Sequence, residues 1–438
     1  MCNTKWKDMR TQVEACALTG AAAFFAGIPD AVLVANGPLW CYFYALRQLE
    51  KQWPAISSQY YCTQVDNHAV VYGTEEFLLE TLHTIRRQTR PSVVLIENSC
   101  SVSLIGDDIA GMAKQADLNC PVVFVDGGGL SGSFGAGYRA AAKGYLKQVP
   151  FNRKSAVQPG AVNLLGCTIG YYNGANDVVE LKRMLHMAGY QVLACPGAGS
   201  RIDEIANMTN AALNIVVHDE LGQEMAKILY EQHGMPYVSL PPPYGVQGSL
   251  AWLETIHQHM PVAGSQMTVV RKEVNALEQK LQSLTLDMQR TWGDLWFEKT
   301  LIAAPASVAL SMAEAVRTEW LDTGLLTVVA YDRLPSYPAA SSIDTLLAAD
   351  GDSQLLEKEL AALEGGLLLG SSNEKAILHQ CSVPDVVCQN IALPVYDEVI
   401  LSDLPFMGLR GSCHMVERLW NQYVARCQRH RNFTSCRC

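Results

Sequence analysis

Short apolar runs that alternate with amphipathic helical stretches constrain this chain more than any other feature. The first set reads AVLVANG (31–37), ISSQYYC (56–62), SVVLIEN (92–98) and PVVFVDGGG (121–129). A second set reads AVNLLGCTIG (161–170), YQVLACPG (190–197), ALNIVVHD (212–219) and MPYVSLPPP (235–243). A third reads KTLIAAPA (299–306), LTVVAYD (326–332), GGLLLGSS (365–372) and VVCQNIALPVYD (386–397). Parallel strands need long crossover connections, and helix-length segments separate these runs, so the pattern predicts parallel sheets with helices on their faces. The expected fold class is α/β, with three doubly wound (flavodoxin- or Rossmann-like) parallel-sheet domains. The expected boundaries are 1–158, 159–262, a bridging helical segment 263–297, and 298–438 with a C-terminal helix near 411–428. In the bridging segment Val270, Val274, Leu277, Leu281 and Leu284 recur at three- and four-residue steps, one face of a helix. Ligands of such sheets sit beyond the carboxyl ends of the strands.

Composition narrows the partners. A formal charge of −10 and a pI near 5.5 argue against nucleic acid or an anionic membrane surface. The most apolar stretch, Ala15 to Trp40, is broken by Gly20, Gly27, Pro29, Asp30 and Gly37, which predicts a helix, a turn and a strand rather than a membrane span. Asp8 and Glu14 interrupt the basic N-terminus, so no signal peptide is expected and the predicted compartment is the cytoplasm. There the 14 cysteines will not form structural disulfides.

Three cysteines of the first set share a setting. Cys16 lies just before the first strand, Cys41 ends the turn NGPLWC after it, and Cys100 follows the third strand. Parallel geometry gathers the ends of neighbouring strands, so Cys41 and Cys100 can converge, and the N-terminal segment can carry Cys16 to the same edge. A helix N-terminus favours thiolate over thiol, and thiolates are the ligands of iron–sulfur clusters. The alternative is that all three are small buried hydrophobes.

The motifs around these cysteines resemble those of component 1 of nitrogenase and its relatives, which include light-independent protochlorophyllide and chlorophyllide reductases, the coenzyme F430 reductive cyclase and cofactor-assembly scaffolds. The resemblance rests on Cys16, on GPLWC ending in Cys41, and on CSVSLIGDDI beginning with Cys100. It extends through AVVYGTEEFLLETL (69–82), GGGLSGSFGAGYRAA (127–141), NDVVELKRMLHMAGYQV (176–192), GGLLLGSSNEKAI (365–377) and PFMGLRGSCHMVERLWN (405–421). It implies a subunit that pairs with a homologous subunit, as homodimer or heterotetramer. It also implies an ATP-dependent iron protein that delivers electrons to an interface iron–sulfur cluster, 4Fe–4S or P-cluster-like, held in part by Cys16, Cys41 and Cys100. Cys62, at the end of the second strand, is the nearest candidate in this chain for a fourth ligand. A partner's carboxylate or cysteine is the other.

The chain departs from the molybdenum enzyme's pattern where that enzyme holds its large cofactor. One ligand position falls on His218, which can bind metal or a cofactor through neutral imidazole or merely line a cleft; the other falls near Glu398. With both ligands replaced, reduction of dinitrogen is not expected. Trp40 stands where glycine is usual, so the backbone differs there or the ring shields the cluster. Asp107, Asp108, His218 and Glu398 are candidate proton carriers without an assigned role. GGGLSGSFGAG lacks dinucleotide-loop spacing and its acidic partner, and no Walker lysine motif occurs, so the chain is not expected to bind ATP. Cys436 and Cys438 could chelate metal, and His257 and His259 read as surface residues. Three functions compete: a reductase of an organic substrate, a scaffold for metallocofactor assembly, and a structural subunit beside a catalytic homologue.

Overall fold

A computed structural model describes residues 15–126, 129–152, 156–262, 264–339, 341–348 and 353–435. They form two compact units: residues 15–175 with 192–238, and residues 176–191 with 239–435.

The first sheet contains β1 (Ala31–Asn36), β2 (Tyr60–Cys62), β3 (Val93–Asn98) and β4 (Val122–Val125), in the order β2-β1-β3-β4. The second contains β5 (Gln158–Leu165), β6 (Gln191–Ala194), β7 (Ala211–Val216) and β8 (Tyr237–Ser239), in the order β6-β5-β7-β8. The third has β9 (Trp296–Pro305), β10 (Asp322–Tyr331), β11 (Thr345–Ala348), β12 (Leu367–Gly370) and β13 (Val387–Asn390), in the order β11-β10-β9-β12-β13. The strand pairings are parallel. The expected α/β architecture of three parallel sheets is therefore what the chain adopts. The run ISSQYYC is shorter as a strand than expected and keeps only β2, because the preceding 3₁₀ turn, Pro54–Ser58, takes its first residues. Strand β11 was not anticipated.

Why the first sheet holds together is visible in its alternation. Val32, Val34, Val94 and Ile96 point to one face, against Leu78, Leu82 and Ile85 and against Ile109 and Met112. The intervening positions, Leu33, Ala35, Leu95 and Glu97, belong to the other face by the two-residue period of strands. There helix α1 (Ala17–Ala26) packs on β1 and β3. Every residue of α1 is buried, which explains an apolar run that mimics a membrane span. Among the described residues no helix is long and apolar enough to cross a membrane.

The long helix Gly264–Trp292 occurs where the period placed it. Met267, Val270 and Val274 are buried, but Leu284 and Leu286 are exposed, so only its first turns pack tightly.

Candidate metal centre

In the first sheet the chain leaves β1 toward β2 on one side and later β3 toward β4 on the other. The crevice where order reverses lies between the ends of β1 and β3, the place where such sheets hold ligands. Cys41 is on the loop and helix after β1; Cys100 opens the short helix after β3. Two devices hold these segments together. Gly37 lies so close to Ser99 that a Cβ there would sit 2.5 Å from the Ser99 Cβ and Oγ, so the turn after β1 rests directly on the residue before Cys100. A buried polar knot lies beside it. Asn36 Nδ2 donates to Asn98 Oδ1 at 3.0 Å, the Thr63 hydroxyl donates to Asn36 Oδ1 at 3.1 Å, and Gly37 N–H donates to Thr63 Oγ1 at 3.0 Å. The ends of β1 and β3 are thus tied to each other and to the segment after β2.

The carboxylates of IGDD complete that frame. Asp107 Oδ2 accepts from the Thr74 N–H and hydroxyl, both at 2.7 Å, and Asn36 reaches Thr74 Oγ1 at 3.4 Å. Asp108 caps the helix Ile109–Ala116 through Gly111 N–H at 2.9 Å. Their jobs in this structure are loop anchoring and capping.

Cys16 arrives from a different direction. It is the N-cap of α1, in extended conformation, and bridges Ser133. Ala17 N–H donates to Gly132 O at 3.1 Å. The helix Phe134–Gln148 approaches so closely that a Cβ on Gly137 would meet Ala17 O at 1.7 Å. Gly132 and Gly137 thus fix the Cys16 end of α1 by close packing.

These sulfurs feel one another. Burial pushes the Cys41 thiol up to about 11, and the Cys16, Cys100 and Cys62 thiolates and the Glu97 carboxylate add to the rise. Burial also raises Cys16, against the Thr19 and Leu18 N–H groups that lower it; Glu97 and Cys100 raise it further. Burial raises Cys62, and the Gln64 N–H lowers it. Burial thus holds the Cys16, Cys41 and Cys62 thiols protonated, against the easier thiolates expected at helix N-termini, and metal must displace their protons on binding.

Among the described residues no three histidine, cysteine, aspartate or glutamate side chains converge tightly enough for a single metal ion. A mononuclear tetrahedral site gathers its sulfurs within about 4 Å, given bonds of about 2.3 Å. A polynuclear cluster spreads its thiolates over several irons, so free, half-buried thiols gathered at a switch point fit such a group.

The sequence did not flag the carboxyl group beside them. Glu97 is completely buried in β3; its Oε1 accepts from the Tyr60 hydroxyl at 2.5 Å, and its Oε2 has no hydrogen-bond partner among the described residues. Burial drives its pKa up to about 8, against the pull of Tyr60. An acidic residue closing an apolar run reads as a strand flank; only register reveals its neighbours.

The other predicted residues lie elsewhere. His218 follows β7 in the second sheet, buried, with its ring edge-on to Tyr171 at 4.9 Å and no side-chain cap bond. Burial lowers its pKa to about 3, so the ring is neutral. Glu398 accepts from Asn390 Nδ2 at 2.8 Å and pairs with Arg418, which commits its carboxylate. Trp40 is 66 % exposed, its ring against Phe43 and Tyr44. His259 is exposed and His257 half-buried. Cys436 and Cys438 lie outside the described residues.

A family model described as nitrogenase component 1 type oxidoreductase matches residues 16–423. A light-independent protochlorophyllide reductase chain of Zygnema circumcarinatum is 23% identical over 401 residues, covering 84% of this chain and 74% of that protein. The nitrogenase iron-molybdenum cofactor biosynthesis protein NifE of Clostridium pasteurianum is 24% identical over 392 residues, covering 87% and 83%. Among solved structures, nitrogenase Cp1 at pH 5 superposes with a TM-score of 0.75 at 19% identity, covering 94% of this chain and 88% of that one.

Proposed function

The chain belongs to the nitrogenase component 1 type oxidoreductase family, and from that premise we propose that it is an electron-accepting subunit built around Cys16, Cys41 and Cys100. In this reading those thiolates hold an iron–sulfur cluster, which when bound supplies one-electron storage. The electrons come from an ATP-dependent iron protein, and they serve reduction of a substrate or cofactor other than dinitrogen. The observation that carries the reading is geometric: Cys41 follows β1 and Cys100 follows β3 at the first sheet's switch point, and Cys16 caps the helix that packs on those two strands.

The remaining residues have distinct tasks. The Asn36–Asn98–Thr63 knot and Asp107 fix the loops, so the thiols are held in place before metal arrives. Leu39, Trp40, Phe43 and Tyr44 present an exposed apolar face on the helix that carries Cys41. Such a face suits burial under a partner, and a homologous subunit is the occupant that the family supports. The cytoplasm is the proposed compartment.

Replacement of both ligand positions, one by His218 and the other by a Glu398 already paired with Arg418, argues against a molybdenum cofactor bound as in the dinitrogen-reducing enzyme. A second reading, a scaffold for metallocofactor assembly, is favoured by the match to a cofactor biosynthesis protein over 83% of its length. Anaerobic purification with its iron protein, followed by turnover assays, separates the two. Steady reduction of an organic substrate supports the first; a bound cargo cluster without turnover supports the second.

A further inference from the structure

Register places Glu97 in the candidate centre. Ala35 pairs with Cys62 on one side and with Glu97 on the other, so all three share one face of the sheet. The residue between the two functional groups carries only a methyl. This is the face that α1 covers, with Cys16 at its N-cap, and the Glu97 charge is felt at both Cys16 and Cys41.

A buried carboxylate oxygen without a donor is costly. Protonation does not cure it: a proton on Oε2 would turn an acceptor without a donor into a donor without an acceptor. A cation would cure it. Cys62, the other candidate, is already engaged, donating its S–H to Gly37 O at 3.6 Å and accepting from Gln64 N–H at 3.4 Å.

We propose that Glu97, rather than Cys62, is this chain's fourth ligand: Oε2 binds one iron of the cluster held by Cys16, Cys41 and Cys100, while the Tyr60 hydroxyl fixes Oε1. Ligation is a redox-neutral step. The Oε2–iron bond forms as that iron releases a water or added thiol, and any proton held by the metal-free acid leaves to solvent. The inference rests on the cluster reading above. An oxygen ligand is harder than a thiolate, so the iron it holds is the one that exchanges most readily.

The test compares anaerobically reconstituted parent, Glu97→Gln, Glu97→Ala and Cys62→Ala proteins by iron content, paramagnetic resonance and Mössbauer spectra, with Cys100→Ala as reference. The expected parent spectrum contains one iron distinct from the thiolate-ligated ones. Glu97→Gln keeps the size and the Tyr60 contact; it and Glu97→Ala should lose one iron per cluster and show a three-iron signal on oxidation, whereas Cys62→Ala matches the parent. Melting of the metal-free proteins separates misfolding from ligand loss, and Glu97→Gln decides if Glu97→Ala does not fold. Parent-like spectra for Glu97→Gln overturn this inference alone, and so does iron loss in Cys62→Ala instead. A parent that assembles no cluster, or a Cys100→Ala protein that keeps one, overturns the reading beneath it as well.

Discussion

The strand ends of the first and third sheets both carry carboxylates, Glu97 buried in the first, Glu398 half-buried and Asp397 exposed in the third, and they treat them oppositely. Beyond β13, Glu398 is closed by Arg418 and Asn390, and Asp397 by Lys375 at 2.9 Å, the Ser372 hydroxyl at 2.6 Å and Asn390 at 3.1 Å. Burial would raise Asp397, but those partners bring it down to about 2. Near the end of β3, Glu97 has Tyr60 and no cation as partner among the described residues, and burial raises its pKa to about 8. One rim satisfies its own charges. The other leaves a carboxylate oxygen, Glu97 Oε2, without a hydrogen-bond partner among the described residues; the third rim's unpartnered oxygen, Asn390 Oδ1, belongs to a neutral amide, and an open carboxylate is what a ligand-binding rim needs and a structural rim avoids. Position in a parallel sheet is common to both; the state of the side chains' bonding tells them apart.

The sharpest way to break this contrast is to remove a donor from each rim. Cys100→Ala should abolish the cluster's absorption and iron content after reconstitution, whereas Glu398→Gln should leave both intact; an equal loss from the two would erase the distinction. Next in size, Arg418→Leu strands a half-buried carboxylate and should cost roughly 2–4 kcal/mol, read as a lower denaturant midpoint. Arg418→Leu combined with Glu398→Leu should recover most of that loss. Full destabilisation in the double variant would show that packing, not charge closure, governs the third rim.

The second sheet offers an intermediate case, a neutral buried base. His218 is lowered from 6.5 to about 3, so its neutral form is favoured on folding. Its contribution is intact above about pH 6.5 and is lost as pH falls toward 3. Between pH 6 and 4 the parent should lose stability about 1.4 kcal/mol per pH unit faster than His218→Phe. Parallel curves for the two proteins would mean that His218 does not titrate there.

Smaller effects probe the first rim's scaffold. Gly37→Ala introduces a Cβ 2.5 Å from Ser99 and should cost about 1–3 kcal/mol, recovered in part by adding Ser99→Gly; no recovery would locate the strain elsewhere. Trp40→Glu should change the melting of the isolated chain by less than about 0.5 kcal/mol yet weaken self-association or pairing, as measured by sedimentation. Unchanged association would remove the exposed aromatic face from the interface.

Much of the first rim is legible in the sequence, for physical reasons. The β-branched runs of β1 and β3 leave little choice but buried strands, and a parallel sheet puts the residues that follow them at one edge, so Cys41 and Cys100 could be paired in advance. Cys16 could be guessed to join them, but not that it would cap α1, because that depends on the close approach of Gly137 to Ala17. Asp107 and Asp108 looked like chemistry and proved to be anchors; their partners, Thr74 and Gly111, are only fixed once the loops fold. Glu97 was invisible because its meaning depends on Ala35 holding it in register with Cys62. The strand β11 escaped for a simpler reason: the four residues Thr345–Ala348 carry too little periodicity to read.

The central claim is that Cys16, Cys41 and Cys100 together hold one electron-storing cluster. Redox titration of the anaerobically reconstituted protein, followed by paramagnetic resonance, tests it most directly in the parent and in the three single Cys→Ala variants. The parent should show a low-potential one-electron signal that is lost or altered in each variant. No signal in the parent, or the same signal in all four proteins, would contradict it.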